Sequence, residues 1–153
     1  MKKIESLANS YIKDVLKLQE KSRERKKKGL FIIEGKREIT LAIAANYQFD
    51  TVLFLPELIS ENEILPLFNE NVNRIEISKE IYKKIAYRDS TEGIIAIAKS
   101  NNFSLKNIQF KNQNPLILVA ESVEKPGNIG ALLRTADAAN ADAVFIANPK
   151  SDL

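Results

Sequence analysis

Up to residue 98 the chain alternates short apolar runs with helix-periodic stretches, and this alternation restricts the fold more than any other feature. Residues 10–20 set Ile12, Val15, Leu16 and Gln19 at helical spacing, with Ser10 placed to cap the first turn. Residues 21–28 (KSRERKKK) continue that helix or form a second short one, and Gly29 is a natural stop. Residues 30–33 (LFII) read as a strand closed by Glu34-Gly35, and residues 36–46 as a helix. Residues 51–55 (TVLFL) form the next strand, ended by Pro56. A helix over 61–69 is weakened by Pro66, because proline removes a helical N–H. Residues 73–77 read as a strand, Ser78 caps a helix running to residue 86, and residues 93–98 (GIIAIA) are a buried strand. The pattern predicts an α/β layered domain with a mostly parallel sheet and helices on both faces.

Residues 99–114 change character: Asn, Gln, Ser and Lys dominate without a sustained period, as in a linker. Pro115 opens a new unit, with a strand over 116–120, a helix over 128–139 and a strand over 143–147. One βαβ unit cannot bury both faces of its strands. Its apolar stripe of Ile129, Leu132 and Leu133, with Leu116, Leu118, Val144 and Ile146, is therefore expected to pack on the first domain or on a partner chain.

The chain contains neither Cys nor His, which excludes disulfides, thiol nucleophiles, Cys/His zinc sites and a histidine general base. No metal site is expected. No apolar run approaches the ~20 residues that span a bilayer, and the basic start lacks the apolar core of a signal peptide. No membrane partner and a cytoplasmic location are therefore expected. The net charge of +3 is modest, yet residues 21–28 hold six cations and one acid. Such a block either attracts phosphate or is a solvated helix face.

The most informative stretch is residues 119–136, VAESVEKPGNIGALLRTA. It reads as strand, turn and helix, with Pro126-Gly127-Asn128 as the turn and Gly130 keeping side chains off the first helical turn. Backbone N–H groups at such a helix start suit an anion or polar ligand. Ile129, Leu132, Leu133 and Ala136 cluster on one helix face, and Arg134 projects away from it. Taken alone, an arginine on a helix is more often a surface residue, and Arg134 is no exception.

The string PGNIGALLRTADAANADAVFI closely resembles motif 1 of the SpoU (TrmH-like) RNA 2′-O-ribose methyltransferases, matching at Pro126, Gly127, Asn128, Gly130, Arg134, Thr135 and Ala136. It departs at Lys125, which follows Glu124 where the family has an acid or Asn beside the proline, and at Asn140-Ala141, where the family has a glycine. Upstream, residues 10–35 and 89–98 resemble the family's amino-terminal substrate-binding domain, with Glu92 where Gln is usual. The resemblance implies an L30e-like α/β/α sandwich for RNA recognition over residues 1–98, a linker over 99–114, and an incomplete βαβ fragment of a SPOUT (trefoil-knot) methyltransferase domain over 115–153.

What the resemblance implies for function follows residue by residue. The substrate is ribosomal or transfer RNA and the methyl donor is S-adenosylmethionine. Arg134 acts at the ribose 2′-hydroxyl, as alkoxide stabiliser or as base, and Asn128 positions substrate or the neighbouring loop. Glu121 is placed to pair with Arg134 or to stand in solvent. Lys21, Arg23, Arg25, Lys26, Lys27 and Lys28 face RNA. Cofactor-binding residues are expected beyond Leu153, in later motifs that form the knot and complete the site across a homodimer. On that reading this chain is the RNA-recognition part and is inactive alone. Two other readings are a non-catalytic L30e-like RNA-binding module and a nucleotide-binding α/β domain with phosphate held at residues 127–130.

Overall fold

A computed structural model describes residues 2–87, 92–101 and 103–150. The chain forms two compact units, Met1–Asn102 and Phe103–Leu153.

The first unit is built on a five-stranded sheet. Its strands are β1 (Lys2–Ile4), β2 (Leu30–Glu34), β3 (Phe49–Phe54), β4 (Asn73–Ile77) and β5 (Ile94–Lys99), in the order β1-β4-β3-β5-β2. The pairs β1–β4 and β3–β4 are parallel, whereas β3–β5 and β2–β5 are antiparallel. The sheet is thus mixed, and the expectation of a mostly parallel one is corrected. Strands covered on both faces read as continuous apolar runs whichever way they point, so the pattern fixes burial and not direction.

Alternate residues of β3 and β5 feed opposite layers. Leu53, Ile95 and Ile97 pack with Ile12, Val15 and Leu18 of α1 (Ser10–Glu20) and with Ile81 and Ile85 of α5 (Lys79–Ile85). Val52, Phe54, Ile94 and Ala96 pack with Ile39 of α3 (Lys36–Ala44) and Ile64 of α4 (Glu61–Ile64). The result is the expected α/β/α sandwich.

Several local details differ from the sequence reading. The cap of α1 is Asn9, whose side chain accepts from the Tyr11 N–H at 2.9 Å, and not Ser10. The expected helix over 61–69 is only α4, opened by a Ser60/Glu63 capping box and followed by a 3-10 turn over Leu65–Leu67, where Pro66 is tolerated. Strand β1 has no apolar signature beyond Ile4, which is buried while Lys2 and Lys3 face water. Lysines of this kind blunt an exposed sheet edge.

The second unit holds β6 (Ile117–Glu121), α6 (Pro126–Ala138) and β7 (Ala143–Ala147), with β6 and β7 parallel. Helix α6 starts at Pro126, so residues 126–128 are its first turn and not a preceding loop. Proline fits there because the first helical N–H has no intrahelical partner to lose. Of the expected apolar positions, Ile129 and Ala136 are buried, but Leu133 and Leu116 are 49% and 55% exposed. The polar segment ahead of β6 is tied in by Asp142, whose carboxylate accepts from the Leu116 N–H and the Asn112 side chain.

Candidate functional site

The sequence-selected residues fall in two regions, one in each unit. In the first, extended Lys21 separates α1 from α2 (Ser22–Lys28), and Gly29, at φ 61°, closes α2 in the left-handed conformation. The six cations expected to face RNA divide in role. Arg25 turns inward: its Nη1 donates to the carbonyls of Leu18 and Gln19 at 2.8 and 2.9 Å. These are end-of-helix carbonyls that lack intrahelical partners, so Arg25 fixes the corner between α1 and α2. The Lys28 ammonium is held by Asp14 at 2.9 Å. Lys21, Arg23, Lys26 and Lys27 are exposed.

Asp14 is drawn by its hydrogen bonds to Lys17 and Lys28, and by their charges, from 3.8 down to about 2. A depressed carboxylate contributes stability above the unfolded value and loses it as pH falls, here between about 4 and about 2. A carboxyl-carbon NMR titration of Asp14 should give a midpoint near 2, moving toward 3.8 in the Lys17→Met/Lys28→Met double variant. An unchanged midpoint in that variant would remove the ion pairs as the cause.

At the far end of β2, Gly35 (φ 98°) leads into α3, and the Glu92 carboxylate accepts the Lys36 N–H at its first turn. A Cβ on Gly35 would lie 2.8 Å from Glu38 Oε2 and 3.4 Å from Glu92 Oε2, so the glycine leaves room for both carboxylates. Residues 89–91 of the segment 89–98 lie outside the described residues.

In the second unit, the loop after β6 and one face of α6 enclose an open cleft of about 700 Å³. Its lining includes Ser122, Glu124, Lys125, Asn128, Leu132 and Thr135. Asn128, Leu132 and Thr135 share a face because they recur at helical spacing. Arg134 lies ~120° around the helix from Asn128, at ~100° per residue, and does not line the cleft. The structure therefore brings Asn128 into the cleft but does not bring Arg134 beside it. Arg134 is exposed, and its Nη1 lies 3.6 Å from where a Gly130 Cβ would stand. The glycine gives the guanidinium room to lie back toward the helix start. Among the described residues no ion pair joins Glu121 to Arg134.

Ser122 was not singled out by the sequence. Its φ of 56° turns the chain out of β6, its N–H donates to the Ala147 carbonyl at 2.9 Å, and its Oγ accepts from Asn148 at 3.0 Å. A serine at a strand's carboxyl end, where open α/β sheets place ligands, was the available signal.

Among the described residues, no group of three or more Asp or Glu side chains is placed to hold a metal. For S-adenosylmethionine, the lining of the cleft contains no aromatic ring to cover an adenine. The unpartnered buried polar atoms among the described residues, Tyr11 OH and Arg74 Nε, both lie in the first unit. The lining of this cleft therefore offers that cofactor polar groups and no stacking surface.

Comparison with known proteins places this architecture. Residues 9–96 match the MRM3-like substrate binding domain, and residues 115–153 match the SpoU rRNA Methylase family. The chain belongs to the MRM3-like substrate-binding-domain family, continued in the same polypeptide by a SpoU segment. It is 27% identical over 152 residues to the Bacillus subtilis 23S rRNA (guanosine(2553)-2′-O)-methyltransferase RlmP, covering 99% of this chain and 57% of that protein. It is 35% identical over 99 residues to the Haemophilus influenzae 23S rRNA (guanosine-2′-O-)-methyltransferase RlmB, covering 60% of this chain and 40% of that protein. A crystal structure of an RNA 2′-O ribose methyltransferase superposes with TM-score 0.77 and 36% identity, over 95% of this chain and 55% of the other. An AdoMet-bound rRNA methyltransferase from Sinorhizobium meliloti, 22% identical, shares the fold at TM-score 0.83 over 98% of this chain and 56% of its own. The chain thus spans about half the length of these full-span matches.

Proposed function

We propose that this chain serves 2′-O-ribose methylation of ribosomal RNA, with residues 1–98 holding the RNA, residues 99–114 joining the two parts, and Arg134 and Asn128 acting at the ribose. One observation carries the reading: a substrate-binding domain and a SpoU segment, whose residues 126–138 form α6, occur in one polypeptide. On the RNA side, Lys21, Arg23, Lys26 and Lys27 are the cations facing water and meet phosphate, while Arg25 and Lys28 keep the helices in place.

At the ribose, what must be supplied is alignment and help for the hydroxyl as it loses its proton. A guanidinium is protonated at ordinary pH, so Arg134 is suited to stabilising the developing alkoxide rather than accepting the proton. Asn128, in the first turn of α6 and in the cleft, positions the neighbouring loop or the nucleotide. S-Adenosylmethionine is the donor, and a homodimer completes the site.

The test is transfer of labelled methyl from S-adenosylmethionine to 23S rRNA by the product of the complete gene, beside the 153-residue chain. Incorporation by the gene product supports the reading. No incorporation, with RNA binding intact, replaces it with a non-catalytic RNA-binding module.

A further inference from the structure

The most exposed large apolar side chain among the described residues is Tyr87, at 87%. It follows α5 and lies outside the residues used above. An aromatic ring presented to water keeps its face free to stack.

Its backbone is nevertheless fixed. The Tyr87 N–H donates to the Glu34 carboxylate at the end of β2, at 2.7 Å. Two residues earlier, the Ile85 carbonyl accepts from the Gln19 side chain at 3.0 Å. Gln19 offers its own carbonyl to Arg25 of the basic helix at 2.9 Å. An unbroken series of contacts therefore runs from α2, through the ends of α1 and α5, to Tyr87. Tyr87 thus follows the end of α5 that meets the end of α1, where Lys21 opens the corner that carries Arg23. Lys83 and Lys84, in the last turn of α5, are also exposed, and among the described residues neither joins an ion pair. Glu20, Glu24, Glu34 and Glu80 thin the positive field without cancelling it, since they are four acids against Lys21, Arg23, Lys26, Lys27, Lys83 and Lys84.

Cations around an exposed ring on a rigid backbone are what an unpaired nucleotide uses: phosphates meet the ammonium and guanidinium groups, and the base stacks on the aromatic face. We propose that Tyr87 is a stacking platform for an unpaired base of the RNA substrate, with Lys83 and Lys84 extending the cationic surface from α2 to α5. The inference rests on the RNA-binding reading and adds to it the form of RNA recognised: a loop, bulge or end, not a continuous duplex.

The experiment compares two RNAs on the full 153-residue chain: a hairpin with an unpaired loop and a fully paired duplex of equal length. Tyr87→Ala should weaken hairpin binding about 5- to 150-fold, the range that stacking of one base supplies, and leave duplex binding unchanged. Tyr87→Phe, which keeps the ring, should bind as the parent does. The chain has no Trp, so the emission of Tyr87→Trp reports the site alone and should be quenched by the hairpin and not by the duplex. Lys83→Gln/Lys84→Gln should weaken both RNAs alike and flatten the slope of log affinity against log salt by up to ~0.9 for each phosphate no longer neutralised. Unchanged hairpin affinity in Tyr87→Ala, or an equal loss on both RNAs, overturns the proposal while the RNA-binding reading stands. If the parent chain binds neither RNA, both fall, and the exposed ring belongs to a protein contact instead.

Discussion

Gly93→Ala is expected to destabilise the first unit by about 3 kcal/mol, from left-handed strain of ~1–2 kcal/mol and overpacking of ~1–3 kcal/mol. Gly93 has φ 74°, which L side chains rarely adopt. A Cβ there would stand 2.6 Å from the Leu58 Cβ and 3.4 Å from the Ile59 backbone nitrogen. Neither atom is the far end of a flexible side chain, so the strand or the turn must move. Movement is costly because Gly93 is held on both sides: its N–H donates to the buried Tyr82 hydroxyl at 3.2 Å and its carbonyl accepts from Leu55 at 2.9 Å. Urea unfolding followed by circular dichroism would read the loss as a lower midpoint. Gly127→Ala is the contrast, since a Cβ there meets nothing within 4 Å. In a helix interior that exchange stabilises by roughly 0.5–1 kcal/mol, and at the second position of α6 it should stabilise by less. Equal midpoints for Gly93→Ala and the parent would refute the packing account.

Arg134→Ala in the complete gene product should lower kcat for methyl transfer by about 10²- to 10³-fold, the usual cost of losing one group that meets developing negative charge. RNA affinity should be unchanged, because Arg134 belongs to the second unit and the cations proposed to hold RNA belong to the first. Arg134 is exposed and, among the described residues, holds no ion pair, so its removal should leave the unfolding midpoint within about 0.5 kcal/mol of the parent. Lysine in its place keeps the charge without the planar fork and should recover only part of the rate. A fully active Arg134→Ala enzyme would reject the assigned role. Loss of RNA binding in that variant would instead make Arg134 a recognition residue.

The elements that could be read from sequence were those with a repeating apolar pattern. The helix spacing of Ile12 and Val15 and the unbroken run of β5 both mark burial, and burial is what hydrophobic pattern encodes. Strand direction is not encoded that way, so the mixed pairing around β5 was missed. Strand β1 was missed because a single buried Ile4 makes no period. Within the basic block, sequence counts charge but not orientation. The inward turn of Arg25 depends on where the carbonyls of Leu18 and Gln19 end up, which only the fold decides. In the second unit, residue identities carried motif 1, whereas which face of the helix borders the cleft depends on the loop after β6, which only the fold places. Tyr87 lay outside every pattern, since one aromatic residue after a helix is as ordinary in sequence as a core residue.

The strand order β1-β4-β3-β5-β2 has a consequence for synthesis. Strand β2 reaches the rest of the sheet only through β5, the last strand of the unit to be made. At ~5–20 residues per second, β2 and the basic helix before it wait on the order of several seconds for their partner to leave the ribosome. Until residues 94–99 emerge, Glu34 has no fixed place from which to hold Tyr87. The surface proposed to meet RNA therefore gains its geometry only when β5 pairs, so that a half-made chain, still surrounded by ribosomal RNA, carries its cations without the geometry to dock them.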